Sequence, residues 1–274
     1  MREQEDGQSL PEEISRRENL RQKMEAARRE IEERVRQRAE AERAEYESKV
    51  AARDNRQGKS KGKNIKPPEE EPKGTEQVNV VDKDSRLMKK NKRSGYEQCY
   101  NAQAVVDADG AHLVLGARIT QSASDSNELE EDVRAVPGSI GKVERVLADS
   151  GYVNEKQVEA LESDDINVYM ATGAESKQCR RKYDYRPEKA SKGEARAVKA
   201  QWLKLMKAKL ETETGRALYA RRKQTVEPVF GIIKHCMGFR QFLLRGLKKV
   251  AGEWQLVTMA YNFKRLWNLK MATE

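Results

Sequence analysis

"VERVLADSGYVNEKQVEALESDDINVYMAT", residues 143–172, decides the class of fold. It opens on a short apolar run that stops at Asp149 and turns through Ser-Gly-Tyr. "NEKQVEALESDD" then reads as a helix, and "INVYMAT" as a second strand. Strand, helix and strand in one short run form a unit of an α/β protein, with the helix laid on the sheet. The same run poses a chemical question, because its first strand ends on a carboxylate and turns at Gly151. Aspartate is a common turn residue, since its side chain bonds to the backbone just beyond it. The other reading is a carboxylate held at the carboxyl end of a strand to bind a metal.

Upstream, "CYNAQAVVDADGAHLVLGARIT" (99–120) sets two apolar-rich runs on either side of Asp-Ala-Asp-Gly, with Gly110 suited to a positive φ. It predicts an antiparallel hairpin, residues 98–107 against 111–120. Asp107, at the tip, reads as a turn former. "SDSNELEEDVRAV" (124–136) begins with capping residues and spaces Leu129, Val133 and Val136 as a helix. "EQVNVVD" (76–82) reads as a short strand that would carry Asp82. Hairpin, helix, strand, helix and strand in that order predict a mixed sheet with helices packed on it. From residue 201 the pattern is helical and carries most of the aromatic residues. Trp202, Trp254 and Trp267 stand at helical spacing from other apolar residues and read as core.

The amino-terminal part differs. Residues 9–50 read as one long charged helix, with Ser9 and Glu12 as a capping box and Pro11 in the first turn. Leu20, Met24, Ala27, Ile31 and Val35 follow in steps of three and four, a narrow seam rather than a wide core face. That pattern suits a helical hairpin arm, a coiled-coil segment or a solvated single helix. Gly, Pro and charge then dominate as far as residue 76. The expected division is a charged arm over 1–54, a flexible linker over 55–76 and a globular part over 77–274. Within the last, residues 173–200 form a basic insertion with interleaved tyrosines, either a solvated loop or a segment that touches a phosphate backbone.

The chain has 274 residues and a formal net charge of +9; 36% of residues are charged and 6% aromatic. A basic balance suits a polyanionic partner, nucleic acid above all, or serves solubility alone. No apolar run approaches the ~18 residues of a membrane span, and the amino terminus lacks the apolar core of a secretory signal. Cys99, Cys179 and Cys236 are far apart and odd in number, neither a disulfide framework nor a zinc pattern, and read as reduced cytoplasmic thiols. His112 and His235 are the only histidines, which argues against a His-rich metal site or a Ser-His-Asp triad. Any metal would fall to carboxylates, which favour hard ions such as Mg²⁺.

A second informative stretch is "YARRKQTVEPVFGIIKHCMGFR" (219–240). Glu227 sits among Arg221, Arg222, Lys223 and Lys234, and a helix would put Lys223 and Lys234 on its face. Pro228 would break a helix interior. A helix capped by Thr225 would instead place Pro228 in its first turn and Glu227 near a positive end. Glu227 could equally form a surface pair with Lys223, which contributes little. A strand-end Asp and a helical Glu that meet at one sheet edge, with basic flanks, suit two-metal phosphoryl transfer on DNA.

Four stretches go further: "VVDKDSRLMK", "GYEQCYNAQAVVDADG", "VLADSGY" and "GRALYARRKQTVEPVFGIIKHCMGFRQFLLRGLKKVAGEWQLVTMAYNFKRL". Over 77–269 the chain resembles the catalytic part of bacterial insertion-sequence transposases of the DDE class, the group with a Tyr-Arg-Glu-Lys signature. "DGQSLPEEISRRENL" resembles the charged helical insertion these proteins carry. The resemblance implies an RNase H-like fold and strand cleavage and transfer at transposon ends with Mg²⁺ or Mn²⁺, two ions in an intact site. It puts catalytic, metal-binding roles on Asp149 and Glu227, and places Tyr219, Arg222 and Lys234 on the signature positions that meet DNA. It also implies double-stranded DNA partners (transposon ends and target), a homodimer, and a cytoplasmic, nucleoid-associated bacterial protein. The relatives' first catalytic Asp lies on a strand before the helical arm, and no segment here matches it. A truncated copy is therefore expected, with Asp82 as the one candidate replacement. The alternatives are a nuclease that does not transpose and a non-catalytic DNA-binding or dimerising remnant.

Overall fold

The computed structural model of the chain describes residues 9–54, 65–89, 94–172 and 200–273. Much of the basic insertion expected at 173–200, and the first half of the linker, lie outside the described residues. The chain divides into two compact units, Met1–Cys99 and Tyr100–Glu274.

In the first unit, helix α1 runs unbroken over Ser9–Asp54. Its surface is laced with pairs one turn apart: Glu13 with Arg17, Arg21 with Glu25, Arg28 with Glu32, Glu45 with Lys49. Each exposed pair contributes little alone, but the run sustains a helix that has scarcely any apolar face. The apolar seam divides in two. Ile14, Leu20 and Met24 are exposed, whereas Val35 and Ala39 are buried. Near the buried half, ion pairs hold the following segment to the helix: Arg38 meets Glu76 at 2.7 Å, Arg43 pairs with Glu70, and Arg34 donates to the Lys83 carbonyl.

The strand expected at 76–82 does not form. Asn79 accepts from the Val81 amide (3.0 Å), Asp82 accepts from the Asp84 amide (3.3 Å), and the Asp82 carbonyl takes the Ser85 hydroxyl (2.8 Å). Short polar side chains that bond to nearby backbone compete with a ladder. The strand forms just beyond them, as β1 (Arg86–Lys89), antiparallel to β2 (Tyr96–Cys99).

The second unit opens with a hairpin of β3 (Asn101–Val106) and β4 (Val114–Thr120), Gln103 opposite Arg118, with a bulge between Val105 and Val106. It is shorter than the 98–107 and 111–120 pairing expected, for two reasons. Residues 96–99 pair with β1 instead, and Asp107 builds a wide tip. Its carboxylate accepts from the Asp109, Ala111 and His112 amides (3.2, 2.9 and 3.2 Å). Gly110 has φ +116° there, the left-handed region a glycine enters without strain. Helix α2 (Leu129–Arg134) follows. Then β5 (Arg145–Ala148), α3 (Glu155–Ser163) and β6 (Asn167–Met170) form the expected strand–helix–strand unit, its strands parallel. Helices α4 (Gln201–Glu211), α5 (Glu213–Gly231) and α6 (Leu247–Thr273) complete it, with a π-helical turn over Ile232–Cys236. The architecture is mixed α/β, but the described strands bond as three separate pairs rather than one continuous ladder.

Two apolar clusters hold this unit. One joins α2, β5, α3, β6 and α4 through Leu129, Val158, Leu161, Val168 and Met206, with Trp202 packed against it. The other joins the hairpin to α5 and α6 through Ile119, Val229, Ile233, Val250 and Trp254. Trp254 stacks on Phe230 with ring centres 5.8 Å apart. Trp202 and Trp254 are thus core, as expected, but Trp267 is not. It is 63% exposed, on an outward face of α6 with Leu256, Met259 and Phe263. The inward face of α6 is fixed by polar hooks. Asn262 accepts from the Val114 amide and donates to its carbonyl (both 2.8 Å), Tyr261 donates to the His112 carbonyl (3.0 Å), and Arg265 to that of Ala111 (2.7 Å). The stretch "YNFKR" of residues 261–265 thus latches a helix onto a hairpin tip.

Candidate active site

Asp149 follows the last residue of β5 and begins a 3₁₀ turn over Ser150–Tyr152. Its Oδ1 accepts the Gly151 amide at 2.6 Å and the side chain stays exposed. The turn-forming role of Asp149 is therefore real, and it leaves the carboxylate facing solvent at a strand end. Gly151 leaves room for the Asp149 carboxylate and does not adopt a positive φ. A Cβ built there would lie 2.8 Å from Asp149 Oδ1 and 3.5 Å from Asp125 Oδ2. Two carboxylates thus close around one glycine.

Asp125 was not singled out in the sequence. It opens the 3₁₀ turn before α2. Its Oδ1 accepts from Asn101 Nδ2 (2.7 Å) and Gln103 Nε2 (2.8 Å), both on β3. Gln103 is 5% exposed. Its Oε1 accepts the Tyr152 hydroxyl, and its backbone carbonyl accepts the Trp254 indole N–H at 2.9 Å. Burial, and then the charges of Asp125, Asp132, Asp149 and Glu128, push the Tyr152 phenol well up, so it stays a hydrogen-bond donor. The start of α3 is stitched to the same region: Asn154 donates to Asn127 Oδ1 (2.7 Å). The signal in the sequence was a period of two. Asn101 and Gln103 share one strand face in an otherwise apolar run, and buried polar groups require partners.

Beside this network lies a cluster of charges. Arg118 on β4 meets Glu128, Glu131 (2.7 Å) and Asp132 (3.0 Å). Burial raises the Asp132 carboxyl to about 6, against the lowering effect of Arg118. Arg118 itself is held charged: burial opposes this, and Glu128 and Asp132 together outweigh it.

Glu227 stands inside α5, well past its first turns and about one turn before its last residue, Gly231, not near a positive terminus as expected. Thr225 caps nothing. It is buried and its hydroxyl donates back to the Arg221 carbonyl at 2.6 Å. Pro228 sits within the helix; it removes one internal hydrogen bond, and packing of Val229 and Ile233 in the second core carries the helix through. Glu227 is exposed and makes no ion pair among the described residues. Tyr219 and Arg222 lie one turn apart on the same helix, the guanidinium 5.5 Å from the ring centre. Arg222 Nε is buried with no hydrogen-bond partner among the described residues. Lys234 lies in the π-helical turn, exposed, its Nζ 5.3 Å from the Phe230 ring centre. A π turn shifts the register after Glu227, so the seven-residue step no longer keeps one face.

Helix α5 packs on β5 and β6, so the helix of Glu227 and the strand that ends at Asp149 are neighbours. The donors suit a hard divalent cation. Yet no three carboxylate, imidazole or thiol groups gather to hold a metal among the described residues. Asp82 belongs to the first unit, where it serves a turn. The described residues therefore do not form a complete metal site.

The site thus belongs to a mixed α/β domain in which an exposed carboxylate stands at a strand end and a helix rich in basic residues packs on that strand. The chain belongs to the transposase DDE domain family, whose model matches residues 62–263. Searches of curated proteins and of solved structures found no match. It is therefore a transposase-domain protein. No helix among the described residues is long and apolar enough to cross a membrane.

Proposed function

We propose that the chain is the C-terminal catalytic region of an insertion-sequence transposase, which cuts DNA strands at transposon ends and joins them to a target. Asp149 and Glu227 are its catalytic carboxylates, and the globular region 77–274 has an RNase H-like fold. The observation that carries this reading is the exposed Asp149 at the carboxyl end of a parallel strand, with α5, the helix that carries Glu227, packed on that same pair. In open α/β sheets the carboxyl ends of the strands are where ligands bind. Tyr219, Arg222 and Lys234 hold the DNA backbone, Arg222 by a flat donor array and Lys234 as a point charge. Mg²⁺ or Mn²⁺, two ions in a full site, would activate the attacking water or 3′-hydroxyl and stabilise the leaving oxygen. The protein works in the bacterial cytoplasm on nucleoid DNA, and two copies pair two ends. The exposed apolar row on α6 supports the dimer.

The test is nicking of supercoiled plasmid with Mg²⁺ or Mn²⁺. Asp149→Ala and Glu227→Ala should each abolish nicking and leave salt-sensitive DNA binding intact. A parent chain that binds DNA and never nicks it removes the enzymatic reading. A second reading is then preferred: a non-catalytic DNA-binding or dimerising form that competes with an active transposase. Among the described residues no three ligands converge, and that favours the second reading.

A further inference from the structure

We propose that Gln103 is a positioning residue for Asp149, acting through Tyr152 and Asp125; the proposal rests on the catalytic reading of Asp149. Gln103 is a buried side chain that bonds both to the Asp149 turn and to the carboxylate beside it. On one side its Nε2 donates to Asp125 Oδ1 at 2.8 Å. On the other its Oε1 accepts from Tyr152, three residues beyond Asp149. An amide is suited to this task because it offers a donor and an acceptor from one rigid plane. Its orientation is set by chemistry. The carboxylate can only accept, and the Tyr152 phenol stays protonated and so donates.

The base of this lever is fixed as well. The Gln103 carbonyl takes the Trp254 indole N–H at 2.9 Å, which ties β3 to the α6 core at that residue. Asn101 supplies a second donor to Asp125 at 2.7 Å and also reaches the Ser122 carbonyl at 3.3 Å. The Asp125 side chain is thereby held with Oδ1 turned to β3 and Oδ2 toward Gly151. Gly151 in turn bonds Asp149 Oδ1. The strand-end carboxylate is therefore set from both sides. Tyr152 anchors the far end of its turn, and Asp125 fills the space beside its glycine. Buried networks in which every member is satisfied hold one geometry, and a group that must meet a cation needs such a fixed frame.

The test uses the full chain and Mn²⁺ alone as the probe. Tyr152→Phe removes one hydroxyl and keeps the packing; Gln103→Ala removes both contacts. Amide exchange of the 149–153 turn should rise roughly fivefold in Tyr152→Phe, the loss of one ordinary hydrogen bond, with β3–β4 protection falling by no more than the same factor and the melting temperature by no more than a few degrees. Mn²⁺ affinity, by calorimetry, should fall about tenfold in both variants and vanish in Asp149→Ala. Asp125→Asn keeps an acceptor for Gln103, so it should keep turn protection and near-parental affinity, whereas Asp125→Ala should lose both. Unchanged exchange and unchanged affinity in Tyr152→Phe and Gln103→Ala, while Asp149→Ala abolishes binding, overturn the proposal. Loss of Mn²⁺ in Asp125→Asn with the turn intact makes Asp125 a ligand and overturns its positioning role. If the parent binds no Mn²⁺, the metal-binding reading of Asp149 falls, and the catalytic side of the proposal with it. Exchange still decides whether Gln103 holds the turn.

Discussion

Replacement of Arg118 by methionine should cost stability in a way that depends strongly on pH. Arg118 is the sole cation bonded to two buried carboxylates among the described residues, Glu128 and Asp132, whose side chains are 9% and 8% exposed. Its third partner, Glu131, is exposed and counts for little. Methionine fills similar volume but leaves the two acids unpaired. Breaking a buried pair from one side typically costs about 3–5 kcal/mol, and that is the loss expected at about pH 8. The pH dependence follows from Asp132, whose carboxyl is already raised to about 6 from 3.8 by burial. A raised acid stabilises the fold in its protonated form. That contribution is complete below the unfolded value and is lost as pH rises through the folded one. Without Arg118 both lowering influences on Asp132 disappear, so its folded value climbs further. The variant should therefore recover roughly half of its loss or more on going to about pH 5. Urea denaturation of parent and variant at the two pH values measures this. A loss that is equal at both, or below about 1 kcal/mol at the higher pH, would refute the view that Arg118 serves as counter-charge to two buried acids.

Gly215→Ala should lower the melting temperature by several degrees, because its Cβ would lie 2.1 Å from the Lys209 carbonyl oxygen; the backbone must shift, at a cost of roughly 1–3 kcal/mol. A melting temperature equal to the parent's would show that the α4–α5 corner gives way freely. Lys234→Ala and Arg222→Ala should each reduce the salt slope of DNA binding by about 1, the signature of one lost phosphate contact; fluorescence anisotropy across a salt series measures it, and an unchanged slope removes that residue from the interface. Trp267→Glu should lower self-association in sedimentation velocity without lowering the melting temperature, since the side chain is largely exposed; unchanged mass removes the outer face of α6 as a dimer surface.

The strand–helix–strand unit over 143–172 was legible because each element had its own period and a turn signal between them, and β5, α3 and β6 formed where those signals fell. Long charged α1 was legible for the opposite reason: charges one turn apart and no Gly or Pro beyond its first turn. Errors came where a local bond outbid a pattern. Val78, Val80 and Val81 look like a strand, but Asn79 bonds to the backbone among them and Asp82 to the backbone just beyond. Pro228 looks like a helix start, yet packing of Val229 and Ile233 carries the helix through it. Trp267 shares a helical repeat with Trp254, but a 27-residue helix has an outer face, and spacing alone does not say which face a core covers.

The site divides along the same line. Asp149 and Glu227 were legible as carboxylates with special neighbours, one at a strand end and one in a basic helix. Asp125 was not, because its importance lies in what reaches it from a strand more than 20 residues away. One feature of the sequence nevertheless pointed there. A glutamine that faces inward from a strand must find both a donor and an acceptor, or the strand loses stability. The inward pair Asn101 and Gln103 therefore required polar partners on whatever packed over β3. Those partners are the two turns that flank Asp149, so the strand next to the candidate site already carried the specification for how that carboxylate is held.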